Sequence, residues 1–305
     1  MNRVIAFGVL SILLWSSCGW FCKKSKCAKT DQSTLILNDS LATLDKIERI
    51  DTAHLPQFII RVNVHYIDSR NGMFYRGKKE DEKPVNGNVW AHRLINHANS
   101  ILENLEESKT SKNSYVGNSR IRLQLYSDPS NPLDTNGGIW YWPNRRMKKS
   151  VYGEDVLNII IEDYGQPKDF KLNGYACGMN FCNEIVLQDA YDNAANGGGF
   201  GWWSFASLLC HELGHVMGLC HSFYCGNECK DVDIDIAKEC KINPCFSDCG
   251  GPNVGFCDNW KSGSNNMMGY NPNQSALSPC QWKIVFRNLC FTQARFVTRK
   301  NEVRN

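Results

Sequence analysis

Three of the chain's seven histidines lie within eleven residues, at positions 211, 215 and 221. Residues four apart share one face of a helix, so His211 and His215 can present their imidazoles to a single metal ion. Gly218 can adopt the positive φ that ends a helix, and the chain can then swing His221 in as a third ligand. The carboxylate of Glu212 follows directly after the first histidine. This spacing predicts a zinc site with three protein ligands and a fourth position left for water.

Two other interpretations of this motif involve no catalysis. The histidines could be satisfied by hydrogen bonds within the protein, or the zinc could serve only for stability. A closed structural site would need a fourth Cys or His ligand. Cys220 is the nearest candidate, but a side chain adjacent in sequence to His221 usually points elsewhere. The open site is therefore favoured.

The apolar periodicity before the motif predicts four strands and one long helix. The strands are expected at residues 57–66, 121–125, 157–161 and 184–187, and the amphipathic helix at 88–107. Between the last two strands, residues 173–177 form a candidate edge strand, and Cys177 is close enough to Cys182 for a disulfide bond. A glycine run at 197–199 leads to the helix that contains His211 and His215, which is called the zinc helix below. The predicted fold class is α/β.

Composition narrows the class of protein and its compartment. The net charge of +3 is small for 305 residues, and no Lys/Arg cluster is interleaved with aromatic residues, which argues against a nucleic-acid partner. Fifteen cysteines are too many for a reducing cytosol unless most bind metal, and their spacings do not repeat as paired zinc knuckles. Disulfide bonds and an extracytoplasmic location are therefore expected.

The N-terminal residues have the pattern of a secretory signal, which is consistent with an extracytoplasmic location. Arg3 precedes an apolar run over residues 4–15, and small residues follow, so residues 1–17 are expected to be a signal peptide that is too short to span a bilayer. Cys18 then stands where bacterial lipoproteins are cleaved and lipidated. Trp15 occupies a position where such signals prefer Leu, so lipid anchorage and ordinary secretion both remain open.

Residues 18–55 are expected to form a tether or short pro-segment, because little in them could build a core. Cys22 or Cys27 could cap the zinc as a latency switch, since a thiolate is a good zinc ligand. Pairing of these cysteines with each other or with the body of the protein is the more ordinary expectation.

The histidine motif, the order of elements and the downstream segment 265–270 together resemble the metzincin zinc endopeptidases, most of all the pappalysin and cytophagalysin group. The resemblance covers roughly residues 55–290. It implies a metzincin-like, twisted mixed five-stranded sheet with a backing helix and an active-site helix. By the same resemblance Met268 forms a tight turn beneath the zinc, and Tyr270 approaches the zinc to steady the transition state. Two methionines filling a core gap would be the alternative.

Two departures from the family pattern bear on calcium, which some relatives bind. Gly269 replaces the acidic residue usual after the turn methionine, and the Asp-Thr-Pro expected after the third histidine is absent. Calcium is a possible second cofactor, and these departures argue against it. The aspartates at 231, 233 and 235 are expected to face solvent.

The predicted function is a secreted or lipid-anchored endopeptidase with one catalytic zinc ion. Glu212 would act as general base on a zinc-activated water, and Tyr270 would donate to the developing oxyanion. A protein or peptide substrate would pair with the edge strand, formed by Asn173, Gly174, Tyr175 and Ala176. The alternative is a catalytically silent, Cys-rich binding protein on a peptidase scaffold. The oligomeric state cannot be inferred from the sequence.

The expected organisation has a catalytic subdomain at 56–222 and a Cys-rich C-terminal subdomain at 223–305 that contains the Met turn. Seven cysteines lie between Cys220 and Cys257, where disulfides are favoured over a second zinc site. Ser278 and Pro279 are expected to open a final helix. The basic tail from Arg295 is expected to be exposed, and Cys210 and Cys220 are expected to hold the zinc helix in place through disulfides.

Overall fold

The computed structural model describes segments of the chain between residues 55 and 300. The described residues are 55–69, 72–75, 85–109, 117–162, 174–179, 181–191, 201–222, 229, 231, 265–269 and 274–300. The expected signal peptide at 1–17, Cys18, nearly all of the tether at 18–55, the glycine run at 197–199 and most of the Cys-rich segment lie outside them. No helix in this described part of the chain is long and apolar enough to cross a membrane.

Nine strands and three α-helices make up the described regular structure. In chain order they are β1 (Gln57–Ile67), β2 (Met73–Phe74), β3 (Val85–Asn86), α1 (Gly87–Glu103), β4 (Ile121–Leu125), β5 (Ile139–Trp142), β6 (Leu157–Glu162), β7 (Gly174–Ala176), β8 (Glu184–Gln188), α2 (Gly201–Val216), α3 (Pro279–Phe291) and β9 (Val297–Lys300). All four strands and the long helix expected before the zinc helix are present. Their bounds differ from the predicted ones by a few residues at most.

The main sheet is mixed, with strand order β4-β1-β6-β8-β7. Its first four strands run parallel, and β7 is antiparallel at the edge, which confirms the α/β fold with a five-strand row. Two further strands pair with the eleven-residue β1. Strand β5 continues the pairing beyond β4 in parallel, and β9 pairs antiparallel with the first half of β1. The sheet therefore has seven strands in the described residues.

Helices α1 and α2 pack together over one face of this sheet. Asn86 caps α1 by accepting a hydrogen bond from the Val89 N–H at 3.1 Å, and the apolar stripe of the helix is buried. Trp90 of α1 meets Phe205 of α2 with ring centroids 6.0 Å apart. The long apolar side chains of both helices thus fix how the zinc helix lies on the sheet.

The C-terminal tail is exposed at Thr298, Arg299 and Lys300 as expected, although Phe296 is buried and β9 adds to the sheet. One other expectation about this region is wrong. Asp231 does not merely face solvent: its carboxylate accepts hydrogen bonds from the Ser278 hydroxyl at 2.8 Å and the Cys280 N–H at 3.1 Å. It therefore caps the first turn of α3, where a negative charge is favourable. Ser278 itself forms the predicted cap, in a capping box with Gln281.

Cysteine chemistry follows the prediction in part. Cys177 is bonded to Cys182 as expected, and Cys229 is bonded to Cys280. The second bond uses one thiol, that of Cys229, from the region in which another zinc site was the alternative. Cys220 also forms a disulfide.

The expected disulfide of Cys210 is wrong, because Cys210 is a free and fully buried thiol. Its sulfur donates a weak hydrogen bond to the carbonyl oxygen of Ala98 in α1, at 3.6 Å. Burial raises the pKa of this thiol well above its ordinary value. Apolar packing against α1, and not a covalent bond at this residue, holds the middle of the zinc helix.

Candidate metal centre

The chain turns back at the end of α2, and this turn brings His221 close to His211 and His215. Gly218 has φ +98°, the left-handed conformation that glycine adopts without a Cβ clash. Its N–H donates to the carbonyl of His215 and the N–H of Leu219 donates to that of Gly214, both at 2.9 Å. These two bonds form a Schellman motif, which satisfies the last carbonyls of the helix. The predicted stop at Gly218 is thus present in the fold.

The three histidine side chains converge at this helix end. Their ligand nitrogens all lie within 4.8 Å of one another, and the ring centroids are 4.6 to 5.2 Å apart. His211 donates from Nδ1 to the carbonyl oxygen of Met267 at 2.7 Å, and His215 donates from Nδ1 to that of Leu219 at 2.8 Å. A carbonyl oxygen can only accept, so Nε2 of both rings keeps its lone pair for a ligand.

The charge state of these rings suits metal binding. Burial lowers the pKa of His211 to about 3, lowers that of His215, and lowers that of His221 well below its ordinary value. Neutral imidazole is the form that ligates. The Nε2 atoms of His215 and His221 are 3.1 Å apart, close to the separation of about 3.3 Å that two nitrogens have across a tetrahedral zinc. The residues present therefore fit a zinc ion.

The carboxyl group of Glu212 lies on the same helix, between the first two histidines in sequence. The residue is 5% exposed. Burial raises the pKa of this carboxyl to about 8, although a hydrogen bond from the Ala176 N–H acts in the opposite direction. A carboxyl group with such a pKa can both take and release a proton near neutral pH. Its backbone partner belongs to the edge strand, which brings the acid–base group and that strand together.

Met268 lies beneath the zinc helix as the resemblance implied. It is fully buried, and its sulfur lies directly against the Cα of Gly214, at the point where any Cβ would collide with it. The Ser222 N–H donates to the carbonyl oxygen of Met268 at 3.0 Å, just after His221. The turn therefore supports the helix and the returning chain together. Tyr270 lies outside the described residues.

Sequence reasoning gave no role to the polar residues that hold this turn. Asn266 exchanges side-chain hydrogen bonds with Gln281 at 2.8 and 3.2 Å, and its Oδ1 accepts from the Met268 N–H at 2.9 Å. Gln274 donates to the carbonyl oxygen of Gly269 at 2.6 Å and lies beside the His211 ring. The sequence does contain a signal for these contacts. Asn266 stands directly before the methionines of the turn, and a buried side-chain amide needs hydrogen-bond partners.

The edge strand β7 flanks the site, although Asn173 lies outside the described residues. Tyr175 pairs with Val186, and Cys177 donates its N–H to the Glu184 carbonyl oxygen at 3.0 Å. Alternate residues of an antiparallel strand face its partner. The backbone groups of Gly174 and Ala176 therefore point to the other side. Within the described chain no further strand pairs with this edge.

Comparison with known proteins agrees with this geometry. The family model Peptidase_M43, described as pregnancy-associated plasma protein-A, matches residues 182–284. No curated protein matches the chain.

Similar solved structures include mirolysin in complex with compound 9, at 18% identity over 79% of this chain and 94% of that one, with a TM-score of 0.42. Mature mirolysin of Tannerella forsythia in complex with a cleaved peptide has 16% identity, the same coverages and a TM-score of 0.43. Superpositions this loose add nothing to the family match. The matched segment spans the zinc helix, the third histidine and the Met turn, and this similarity to the pappalysin family supports a metallopeptidase.

Proposed function

We propose that this metallopeptidase is a zinc-dependent endopeptidase in which His211, His215 and His221 hold the ion and Glu212 is the general base. One observation supports this most strongly: three neutral imidazoles converge at the helix end that also holds a buried carboxyl group, and the hydrogen-bond partner of this carboxyl group lies in the edge strand β7. A zinc ion bound there supplies a Lewis acid that polarises the scissile carbonyl and lowers the pKa of water.

Glu212 takes the proton of the attacking water and delivers it to the departing amine. Its carboxylate is anchored to the Ala176 N–H, so it is already oriented at the edge of the sheet. The fixed Nδ1 hydrogen bonds of His211 and His215 hold their rings in the ligating orientation. Tyr270 follows the Met turn directly, and by the family resemblance we assign it the hydrogen bond to the developing oxyanion.

A peptide substrate extends along the edge strand formed by residues 173–176. Main-chain hydrogen bonds to Gly174 and to the carbonyl oxygen of Ala176 position the scissile bond without reading much sequence. Side-chain preference would then come mainly from a pocket between α2 and the Met turn.

The disulfide bonds and the family indicate an extracytoplasmic enzyme. Residues 1–17 act as its signal peptide, and Cys18 is a candidate for lipid attachment, with soluble secretion as the alternative. We assign 18–55 to a tether or pro-segment, 56–222 to the catalytic subdomain and 223–305 to the Cys-rich subdomain.

Replacing Glu212 by Gln tests the proposal, because the amide fills the same space but cannot accept a proton. We expect kcat for cleavage of an unfolded protein to fall by a factor of about 10³ or more, while zinc content stays at one ion per chain. Chelation should abolish the wild-type activity, and added zinc should restore it.

Two outcomes would contradict this assignment. Cleavage by the zinc-loaded Glu212→Gln variant at the wild-type rate would remove Glu212 from the chemistry. A wild-type protein that holds stoichiometric zinc but cuts nothing in a proteome-derived peptide library would favour the silent binding protein, which the family match does not favour.

A further inference from the structure

The hairpin formed by β7, its turn and β8 contacts the zinc helix at every fourth residue. Gly174 lies against Leu208, since a Cβ there would be 3.1 Å from the leucine Cδ2. The Ala176 N–H donates to the carboxylate of Glu212. The third contact lies at the end of α2, four residues beyond Glu212. Because positions four apart share a helix face, the hairpin lies along one stripe of α2, next to the stripe that holds His211 and His215.

The third contact is made by the turn of the hairpin. The Phe181 N–H donates to the carbonyl oxygen of Val216, the last residue of α2, at 2.8 Å. Such a carbonyl has no partner within its own helix. Phe181 has φ +59°, a conformation that a bulky residue rarely adopts, and its ring packs against the main core. The turn is therefore attached to the helix end that also returns His221 to the site.

The Cys177–Cys182 disulfide closes the hairpin loop that begins directly after the second contact and contains the third. Cys177 directly follows Ala176, and Cys182 directly follows Phe181. In the described part of the chain, strand β7 has three residues and three cross-strand pairs with β8. Edge strands this short are held weakly by their ladder. A covalent bond at this point restricts how far Ala176 can slide along the helix.

We propose that the Cys177–Cys182 disulfide is a positioning clamp for peptide cleavage. The bond prevents the edge strand from sliding along the zinc helix. A substrate paired with that strand is then held at a fixed position relative to the Glu212 carboxylate. The inference rests on the proposed function, because it assigns the edge strand to the substrate and the base to Glu212. Neither cysteine touches the reacting atoms; both act through Ala176 and Phe181.

The test is the Cys177→Ser, Cys182→Ser double variant of the full chain, loaded with zinc. Its substrate is a quenched fluorescent peptide of about eight residues, enough for an extended segment to pair across the strand. We expect kcat/KM to fall about tenfold, mostly through a higher KM, because misplacement by about an ångström is costly in catalysis. Zinc content should stay at one ion per chain, and amide hydrogen exchange should rise over residues 174–182 and not in β1.

The matched control is the Cys229→Ser, Cys280→Ser pair, which removes a disulfide away from the edge strand. It should lower the unfolding temperature and leave KM within about twofold of wild type. If the Cys177–Cys182 bond only stabilised the fold, its removal would likewise lower the unfolding temperature and leave KM unchanged, because partial unfolding reduces the fraction of active enzyme without changing KM.

Three results would overturn the clamp. One is an unchanged KM at full zinc occupancy, and another is a loss of activity that follows zinc loss. The third is failure of both this variant and the corresponding alanine pair to fold, because the bond would then serve folding. Full activity of Glu212→Gln would instead overturn the proposed function, so the two failures can be told apart.

Discussion

Gly214 is the residue at which the zinc helix and the Met turn come closest. A Cβ at this position would collide with the sulfur of Met268, and the turn methionine is fully buried with no room to withdraw. We therefore expect Gly214→Ala to lower the free energy of unfolding by about 1–3 kcal/mol, although alanine favours helix by itself. Chemical denaturation of the zinc-loaded protein measures this.

A double variant separates the steric cause from a general effect on the helix. If the collision with Met268 is responsible, adding Met268→Ala to Gly214→Ala should cost less than the sum of the two single changes, by about 1 kcal/mol. Strict additivity would show that the two side chains do not interfere with one another, and the close contact would then not explain the glycine.

Residue types and spacing predicted which three histidines the fold brings together, but they could not predict the hydrogen-bond partners of neighbouring side chains. His211, His215 and His221 follow from helix geometry, which is local. The free thiol of Cys210 and the capping carboxylate of Asp231 depend on partners 112 and 47 residues away in sequence, Ala98 and Ser278. No periodicity in one chain specifies such pairings, so both residues were misjudged.

Among the elements, the end of α2 determines whether three ligands can meet. Gly218 at φ +98° leads the chain from Val216 back toward His221, and a Cβ there would lie 2.5 Å from Asn288 Nδ2. Asn288 donates to the carbonyl oxygen of Met217 at 2.8 Å, so it cannot move freely. We expect Gly218→Ala to cost about 1–2 kcal/mol from the left-handed backbone alone and to weaken zinc binding.

Gly153→Ala is the matched control for this helix end. Gly153 also has a positive φ, +56°, but nothing lies within 4 Å of a Cβ added there. It should lose stability to a similar extent from its backbone and keep its zinc affinity, measured by competition with a chelator. Equal zinc affinities in the two variants would show that the helix end does not position the third ligand.

Most elements were predictable from their apolar residues, including the short strands β4 and β8, but β5 and β9 were not. The sequence of β1 and the stripe of α1 are strongly apolar and periodic, and both elements are present. Strand β5 is a four-residue run with three aromatic residues, and in β9 the three residues after Val297 are exposed and polar. Each of these strands forms because β1 is long enough to pair with it. This is a property of the tertiary fold and not of the segment.

At the scale of the molecule, the sheet separates the helices from a buried layer of aromatic and amide side chains on its other face. His65 lies in this layer and is fully buried between Trp140 and Trp142, with which it stacks. The Trp142 Nε1–H donates to His65 Nδ1 at 3.0 Å, so the proton is on Nε2, which donates to Asn158 Oδ1 at 2.9 Å. A protonated ring would carry a hydrogen on Nδ1 as well, facing the Trp142 N–H. These two hydrogen bonds can therefore form only with neutral His65.

Acid should therefore destabilise the whole fold through His65. Burial lowers the pKa of this ring from 6.5 to about 3, the hydrogen bond to Asn158 opposes the shift, and the positive charge of Lys148 adds to it. Between these two pH values the unfolded chain binds a proton that the folded chain does not. The stability is thus fully present above about pH 6.5, falls by about 1.4 kcal/mol per pH unit below it, and levels off near pH 3.

The His65→Gln variant isolates this contribution, because glutamine does not titrate. Urea unfolding at pH 7 and pH 5 should show wild type losing about 2 kcal/mol more than the variant over this interval, whatever the variant loses at pH 7. The zinc-site histidines are common to both proteins, so their titration cancels in the difference. Parallel pH dependences would mean that His65 accepts a proton in the folded state, and hence that water or an anion reaches the layer beneath the sheet.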